Sequence, residues 1–583
     1  VAGNTKNTKS ADLMPLERFL PLLKSTRGYN RETLVADLLA AAIVTIMLIP
    51  QSLAYSLLAG LPAEIGLYAS ILPLIVYACF GTSRTLAVGP VAVASLMTAS
   101  ALAGFAEQGT ATYLAGAVTL ALLSGLFLLL LGLLRLGFLA YLLSHPVVSG
   151  FITASGVLIA FSQLKHALGI DVQGQTIIAL GQTLIGSWAH INLYTVAIAA
   201  LVISFLVWSR TGATSALEQL GISAAKAKLL AKASPIVGVI ITILITIGLN
   251  LDAKGVSVVG SVPGGLPQLA FPDWSFAIID QLYLHAIMIS IIGYVESVSV
   301  GKTLAAKRRQ HIDVNQELVG LGAANIASAV SGAFPVTGGF SRSVVNFDAG
   351  AVTQMASIFC ALGIALVSML FTPALHYLPK ATLAAIIIVA VLSLIDLEIL
   401  KKTWRFSKSD FAGVFMTIAV TLLFGVETGV ACGVLTSIAL HLLRTSMPHI
   451  AEVGLIEGTE YFRDIRRYLV TTVPEILSLR MDESLFFANV HHLESRIYDA
   501  VFQKDKIAHV ILQCSAVSEI DASALEVLEA INVQLAEQGV QLHLSEVKGP
   551  VMDTLERAGF FPHLSGRVFL TQFEAFNDVR ALL

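Results

Sequence analysis

Charge is what this sequence lacks. Asp, Glu, Lys and Arg make up 13% of its 583 residues, where a water-soluble domain carries about 25%. Half the usual charge excludes a chain that faces water along its whole length. Cysteine is scarce too. Cys79, Cys360, Cys432 and Cys514 form no CxxC pair, and three of them lie in apolar segments. That spacing argues against a disulfide framework and against a zinc site. The net charge of −3 singles out no class of partner, and no nucleic acid is expected. The segment Val1–Arg27 is polar, with mixed charge and no apolar run close behind its first basic residues, so it does not read as a secretory signal.

What is there is apolar and comes in blocks. Hydrophobic residues make up 56% of the chain, and the mean hydropathy is +0.79. Runs such as Leu120–Leu134 and Ile236–Leu249 are long and barely interrupted. A bilayer core of about 30 Å takes roughly 20 apolar residues per helix. The blocks therefore predict an α-helical polytopic membrane protein. Spans are expected near 36–58, 64–80, 89–103, 112–134, 137–164, 189–208, 234–250, 279–300, 314–331, 340–347, 350–371, 376–398, 409–425 and 427–446. Composition changes near residue 450, after which short strands alternate with amphipathic helices. The domains expected are a cytoplasmic N-terminal segment 1–33, a transmembrane transport domain 34–450 and a soluble domain 451–583. Lys and Arg collect in alternate loops, Arg18–Arg31, Arg84, Arg135, Arg210–Lys232, Lys302–Arg309, Lys401–Lys408 and Arg444, with Lys165, Lys254 and Lys380 as exceptions on the opposite side. The positive-inside rule then puts both termini in the cytoplasm of a cell-membrane protein.

Two short segments, 89–103 and 340–347, match one another. One follows Ser83-Arg84-Thr85-Leu86-Ala87-Val88-Gly89-Pro90 and the other Phe334-Pro335-Val336-Thr337-Gly338-Gly339. Each reads as an extended stretch, a Gly/Pro break and a short helix. Broken helices at matching places in two halves mark the binding site of a transporter. Their N-termini, aimed at the midplane, favour an anion. Ser341 and Ser343 offer hydroxyl donors there, and Arg342 a formal positive charge. Gln51 and Tyr55 share a helix face at i,i+4 spacing. Glu296 lies in an apolar helix, where a carboxylate needs a partner, a proton or a function that repays its burial. A structural pair with Arg342 and a proton-carrying role are both open to it.

Four separated runs carry a family resemblance: Pro50–Ser70 (PQSLAYSLLAGLPAEIGLYAS), Ser83–Leu96 (SRTLAVGPVAVASL), Glu296–Arg308 (ESVSVGKTLAAKR) and Phe334–Asn346 (FPVTGGFSRSVVN). They resemble the SulP sulfate permeases, relatives of the prestin and pendrin group. The resemblance implies about fourteen segments in a seven-plus-seven inverted repeat like that of the uracil permeases. It also implies core and gate domains with elevator-like movement, a homodimer and a cytoplasmic STAS domain. Carried onto this chain, it places the anion site at Gln51, Tyr55, the backbone of Val91, Ala92 and Val93, and Phe340, Ser341 and Arg342. Glu296 matches the glutamate of proton-coupled sulfate transporters. A sodium-coupled bicarbonate branch has an aspartate there and a hydroxyl four positions on, where this chain has Val300.

In the soluble tail, Ile476–Met481, Ala508–Gln513 and Val540–Ser545 read as strands. Ala524, Leu525, Leu528 and Ile531 mark a helix face. Ile520-Asp521-Ala522-Ser523-Ala524-Leu525 resembles the loop of STAS domains, with Ala522 where a phosphorylated Ser or Thr would stand and Ser523 as a helix N-cap. His491 and His492 read as surface residues. No nucleophile–base or metal-ligand constellation is present, so neither enzyme activity, metal nor cofactor is expected. The expected function is secondary active transport of sulfate by proton symport. Its alternatives are a bicarbonate or dicarboxylate transporter, or a chloride or other anion exchanger, of the same family. A membrane-anchored signalling scaffold is a further rival, with the tail docking a cytoplasmic protein.

Overall fold

The computed structural model describes residues 20–583 apart from 142–144, 171–175, 222, 225–226, 228–230, 232, 261–263, 268, 270–275 and 505. The N-terminal segment through residue 19 and part of the basic stretch 210–232 lie outside the described residues. The chain divides into two compact units, Val1–Ser437 and Ile438–Leu583.

The first unit is helical. Among the described residues, six helices are long and apolar enough to cross a membrane: Arg31–Leu58, Ala63–Phe80, Ala111–Leu133, Pro146–Leu168, Leu193–Thr211 and Phe276–Lys307. Shorter apolar helices include Ala92–Ala103, Ser234–Gly248, Met355–Leu370 and Lys380–Leu392. Their outer faces carry exposed Leu126, Leu130, Leu201, Leu244, Leu362 and Leu366. Such an outer surface suits lipid, since hydrocarbon tails are as apolar as leucine. Where helices meet, small residues let backbones touch. A Cβ added at Gly125 would lie 2.8 Å from the Gly322 carbonyl oxygen, and one at Gly322 2.9 Å from that of Gly125. This contact joins Ala111–Leu133 to Val314–Val330.

Three of the departures from the expected spans are informative. The stretch 63–80 is broken into Ala63–Tyr68 and Leu72–Phe80. Ser70 donates to the Gly66 carbonyl at 2.8 Å, and Pro73 sits in the first turn of the second helix, where it has no N–H to lose. Ile177–Gly186 is an added helix with only Leu180 buried. Glu398–Phe406 is a second addition. It buries only Ile399 and Thr403 and carries Glu398, Lys401, Lys402 and Arg405, so hydropathy alone does not reveal it.

The extended backbone at the two breaks is tied on both sides by hydrogen bonds. Strand β1 (Val88–Gly89) pairs antiparallel with β2 (Thr337–Gly338), Val88 opposite Gly338 and Gly89 opposite Thr337. The Gly339 N–H donates to the Ala87 carbonyl at 3.2 Å. Asn325 accepts from Val336 N–H and donates back to the Val336 carbonyl, both at 2.9 Å. The Ser297 hydroxyl accepts from Gly338 N–H at 2.8 Å. Ser343, expected as an anion donor, is instead a cross-link. Its hydroxyl donates to the Gly339 carbonyl at 2.6 Å and accepts from Ala87 N–H at 3.0 Å.

The second unit is an α/β domain. Its six-stranded sheet has the order β4-β3-β5-β6-β7-β8. The strands are β3 (Ile450–Leu455), β4 (Phe462–Asp464), β5 (Ile476–Met481), β6 (His509–Gln513), β7 (Gln541–Ser545) and β8 (Val568–Phe569). The central strands β5, β6 and β7 run parallel and are apolar enough to be expected from sequence. The outer strands β3, β4 and β8 were not expected, being short or only half apolar. The helix Ala522–Glu537 is capped by Asp521, whose carboxylate accepts from Ala524 N–H at 2.8 Å. This corrects the expected Ser523 cap. The carboxylate also accepts from Phe487 N–H at 2.9 Å, a contact across 34 residues that no local pattern shows. His491 and His492 are exposed.

A histidine pair bridges β6 and β7. His509 Nδ1 and His543 Nε2 are 3.1 Å apart, and His543 Nδ1 accepts from Arg567 N–H at 3.1 Å. His543 must then be neutral, with its proton on Nε2 donated to His509. Burial, aided by His509 and Arg567, pushes His543 down to about 4, and burial lowers His509 as well.

Two outcomes follow. Ser343→Ala orphans the Ala87 N–H and should cost about 1–3 kcal/mol, seen as a lower melting temperature in detergent. Ser341→Ala, at an exposed position, should shift stability by less than about 0.5 kcal/mol. For His543, the unfolded chain takes up a proton below about 6.5 while the fold resists it until about 4, and burial lowers His509 in the same direction. Their contribution is present above that window and is lost as pH falls through it. Hydrogen-exchange protection of β6 and β7 should therefore drop between pH 7 and 5, and His543→Gln should flatten the drop.

Candidate functional site

Two short helices begin where β1 and β2 end. Ala92–Ala103 starts after Val91, and Phe340–Asp348 after Gly339, and neither N-terminus carries a side-chain cap. Uncapped N-termini leave N–H groups without intrahelical partners. Because β1 and β2 pair antiparallel, both helices start within three residues of one short ladder and leave it from opposite ends. Val91, Ala92 and Val93 are buried, whereas Phe340 and Ser341 are exposed.

Arg342 is the largest fully buried side chain of the described residues, at 2% exposure. Neither of its Nη atoms has a hydrogen-bond partner among the described residues. A buried, unpartnered cation is costly, and a fixed anion partner would relieve it. Glu296, on Phe276–Lys307, is also buried. Glu296, Tyr55 and Cys360 all lie within electrostatic reach of Arg342. Yet no ion pair within 4 Å joins Glu296 to Arg342 among the described residues. The tight structural pair is thus not formed in this conformation.

Gln51 and Tyr55 lie one turn apart in Arg31–Leu58, both buried, directly after Pro50. Proline has no N–H, so this turn of the helix lacks one backbone bond. The neighbouring Ser52 holds the Ser70 hydroxyl at 2.7 Å, pinning the helix beside the site. Glu296 is pinned through its neighbour. Ser297 donates to the Gly293 carbonyl at 2.6 Å and lies 2.7 Å from the Thr337 hydroxyl, which donates to the same carbonyl at 2.7 Å. The helix of Glu296 is thereby welded to the strand that leads to Arg342.

Two buried carboxylates were not foreseen. Asp37 accepts from Val352 N–H at 2.7 Å, Thr353 N–H at 3.1 Å and the Thr353 hydroxyl at 2.6 Å. Glu317 accepts from the Tyr77 hydroxyl at 2.7 Å, and from Thr82 N–H, the Thr82 hydroxyl and Ser83 N–H at 2.7, 2.6 and 3.1 Å. Asp37 anchors the exit of the second broken helix, and Glu317 the approach to β1. Glu317 sits in the first turn of its helix, where an acid also suits the dipole, and Asp37 two turns into its own. That alternative hides them in a sequence, and only their distant partners reveal the role.

The sulfate permease family profile matches residues 34–417, and a STAS domain profile matches residues 467–575. Sulfate transporter 4.1, chloroplastic, of Arabidopsis thaliana is 35% identical over 557 residues, covering 93% of this chain and 80% of that protein. Sulfate transporter 1.3 of the same plant is 32% identical over 591 residues, covering 98% of this chain and 89% of that protein. The murine solute carrier 26 family member A9 anion transporter, in its inward-facing state, has the same fold. Its TM-score is 0.87 at 23% identity, with 99% of this chain and 96% of that one covered. The broken helices, the paired strands and these matches lead to one conclusion: the chain belongs to the sulfate permease family, an integral membrane transporter with a C-terminal STAS domain and not an enzyme.

Proposed function

We propose that this protein carries sulfate across a cell membrane by proton symport. The observation that carries the proposal is the buried Arg342 fork, unpartnered on both Nη atoms beside two uncapped helix N-termini. Gln51, Tyr55 and Ser341 complete the anion's surroundings, with the backbone of Val91, Ala92 and Val93, and Phe340 forms an apolar edge. The curated relatives named as sulfate transporters favour sulfate as the anion.

Glu296 is the proton carrier in this reading. With its carboxylate ionised and no anion bound, the Glu296 and Arg342 charges cancel, and the empty carrier recrosses the bilayer near neutral. Sulfate brings two negative charges, and a proton on Glu296 removes one. Proton and anion thus enter together. Val300, buried one turn below Glu296, offers no oxygen to a sodium ion, and this supports proton over sodium as the coupling ion. The broken helices move as a body in an elevator-like step relative to the rest of the membrane unit. The basic loops support cytoplasmic termini, and the carrier works as a homodimer whose STAS domain docks a cytoplasmic protein.

In proteoliposomes, Glu296→Gln should abolish stimulation of sulfate uptake by an inward proton gradient while sparing sulfate–sulfate exchange. Unchanged gradient-driven uptake would sink the proton role. Arg342→Gln should weaken sulfate affinity by about 10–150-fold, since a hydrogen bond to a charged group contributes about 1.5–3 kcal/mol. Competition of labelled sulfate by bicarbonate, fumarate, selenate and chloride at two pH values tests the substrate. Strong inhibition by bicarbonate or fumarate with weak sulfate self-competition would move the assignment to those anions.

A further inference from the structure

Two glycines flank the Arg342 guanidinium, one from each half of the membrane unit. A Cβ added at Gly89 would lie 2.8 Å from Arg342 Nη1. One added at Gly339 would lie 2.7 Å from Nε and 2.9 Å from Nη2. All three distances are inside van der Waals contact. The backbone does not itself call for glycine at either place. Gly339 has φ −84° and ψ 129°, open to any residue, and Gly89 is not among the glycines with positive φ. The remaining reason for glycine is room for the guanidinium. Neither strand can readily retreat, because Gly89 pairs with Thr337 and the Gly339 N–H is bonded to Ala87.

We propose that Gly89 and Gly339 form a slot that fixes the plane of the Arg342 fork and so makes the site select polyatomic oxyanions over halides. The inference rests on the anion-site reading of Arg342. A guanidinium held in one plane offers two parallel N–H donors to two oxygens of one anion. Sulfate and selenate have such oxygens. A halide is a single centre and gains little from the second donor. An alanine at either glycine tilts the fork, since the flexible end of the arginine yields before a paired strand does. Tilting removes one bond to an oxyanion and leaves the positive charge in place. Both glycines are positioning residues, acting through Arg342.

The test is uptake of labelled sulfate by proteoliposomes containing the full chain, with chloride and selenate as competitors. Wild type, Gly339→Ala, Gly89→Ala, Arg342→Lys and the double variant Gly339→Ala/Arg342→Lys are compared. Each alanine variant should raise the sulfate KM and the selenate inhibition constant about tenfold. The chloride inhibition constant should change less than about twofold. In the Arg342→Lys background, where no fork exists, Gly339→Ala should leave the sulfate-to-chloride ratio unchanged. Parallel shifts for sulfate and chloride would overturn the slot, as would unchanged kinetics in both alanine variants. Failure of both variants to assemble would overturn it too, by showing that the strands and not the guanidinium yield. A wild type without saturable sulfate uptake would instead remove the sulfate reading, and the slot with it.

Discussion

Everything in the membrane unit hangs on a two-residue antiparallel pairing, Val88–Gly89 against Thr337–Gly338. In hydrocarbon, backbone that leaves a helix must find partners within the protein. Here the two breaks satisfy one another, and side chains supply the remaining bonds, with Ser343 serving Ala87, Ser297 serving Gly338 and Asn325 serving Val336. The same pairing ties the starts of both short helices to one ladder. A structural need for hydrogen bonds thereby becomes an electrostatic site.

The buried charges fall into two groups. Asp37 and Glu317 each accept three or more bonds from loops far away in the chain. They are settled, and they hold the framework that carries the broken helices. Arg342 has neither Nη satisfied, and Glu296 has no ion-pair partner at close range among the described residues. Charges left unsettled in a low-dielectric interior are expensive. A transporter gains from that expense, because a bound anion and a moving proton can each relieve it in turn.

The soluble unit shows how far local pattern reaches. Its central parallel strands are continuous apolar runs and stand out in the sequence. Its outer strands do not, because an edge buries one face and a two-residue strand has no period. The cap of Ala522–Glu537 was expected at Ser523 from local pattern, and Asp521 takes it instead. The choice fell to Asp521 because its second oxygen is used by Phe487, a residue distant in sequence. The histidine pair was invisible for the same reason: His509 and His543 lie on neighbouring strands 34 positions apart.

The sequence by itself determined that the chain is a polytopic membrane protein with a soluble tail, because apolar length and charge depletion are local properties. It also determined the two Gly/Pro breaks, Gln51 and Tyr55 on one face, Glu296 in an apolar helix and Arg342 at a helix start. Only the tertiary structure decided that the breaks pair with each other, that Ser343 is bonded to the framework while Arg342 is not, and that Gly89 and Gly339 close on the guanidinium. The physical reason is common to all three. Hydrogen-bond satisfaction and steric room depend on which segments meet, and Ala87 and Ser343 meet across 256 residues.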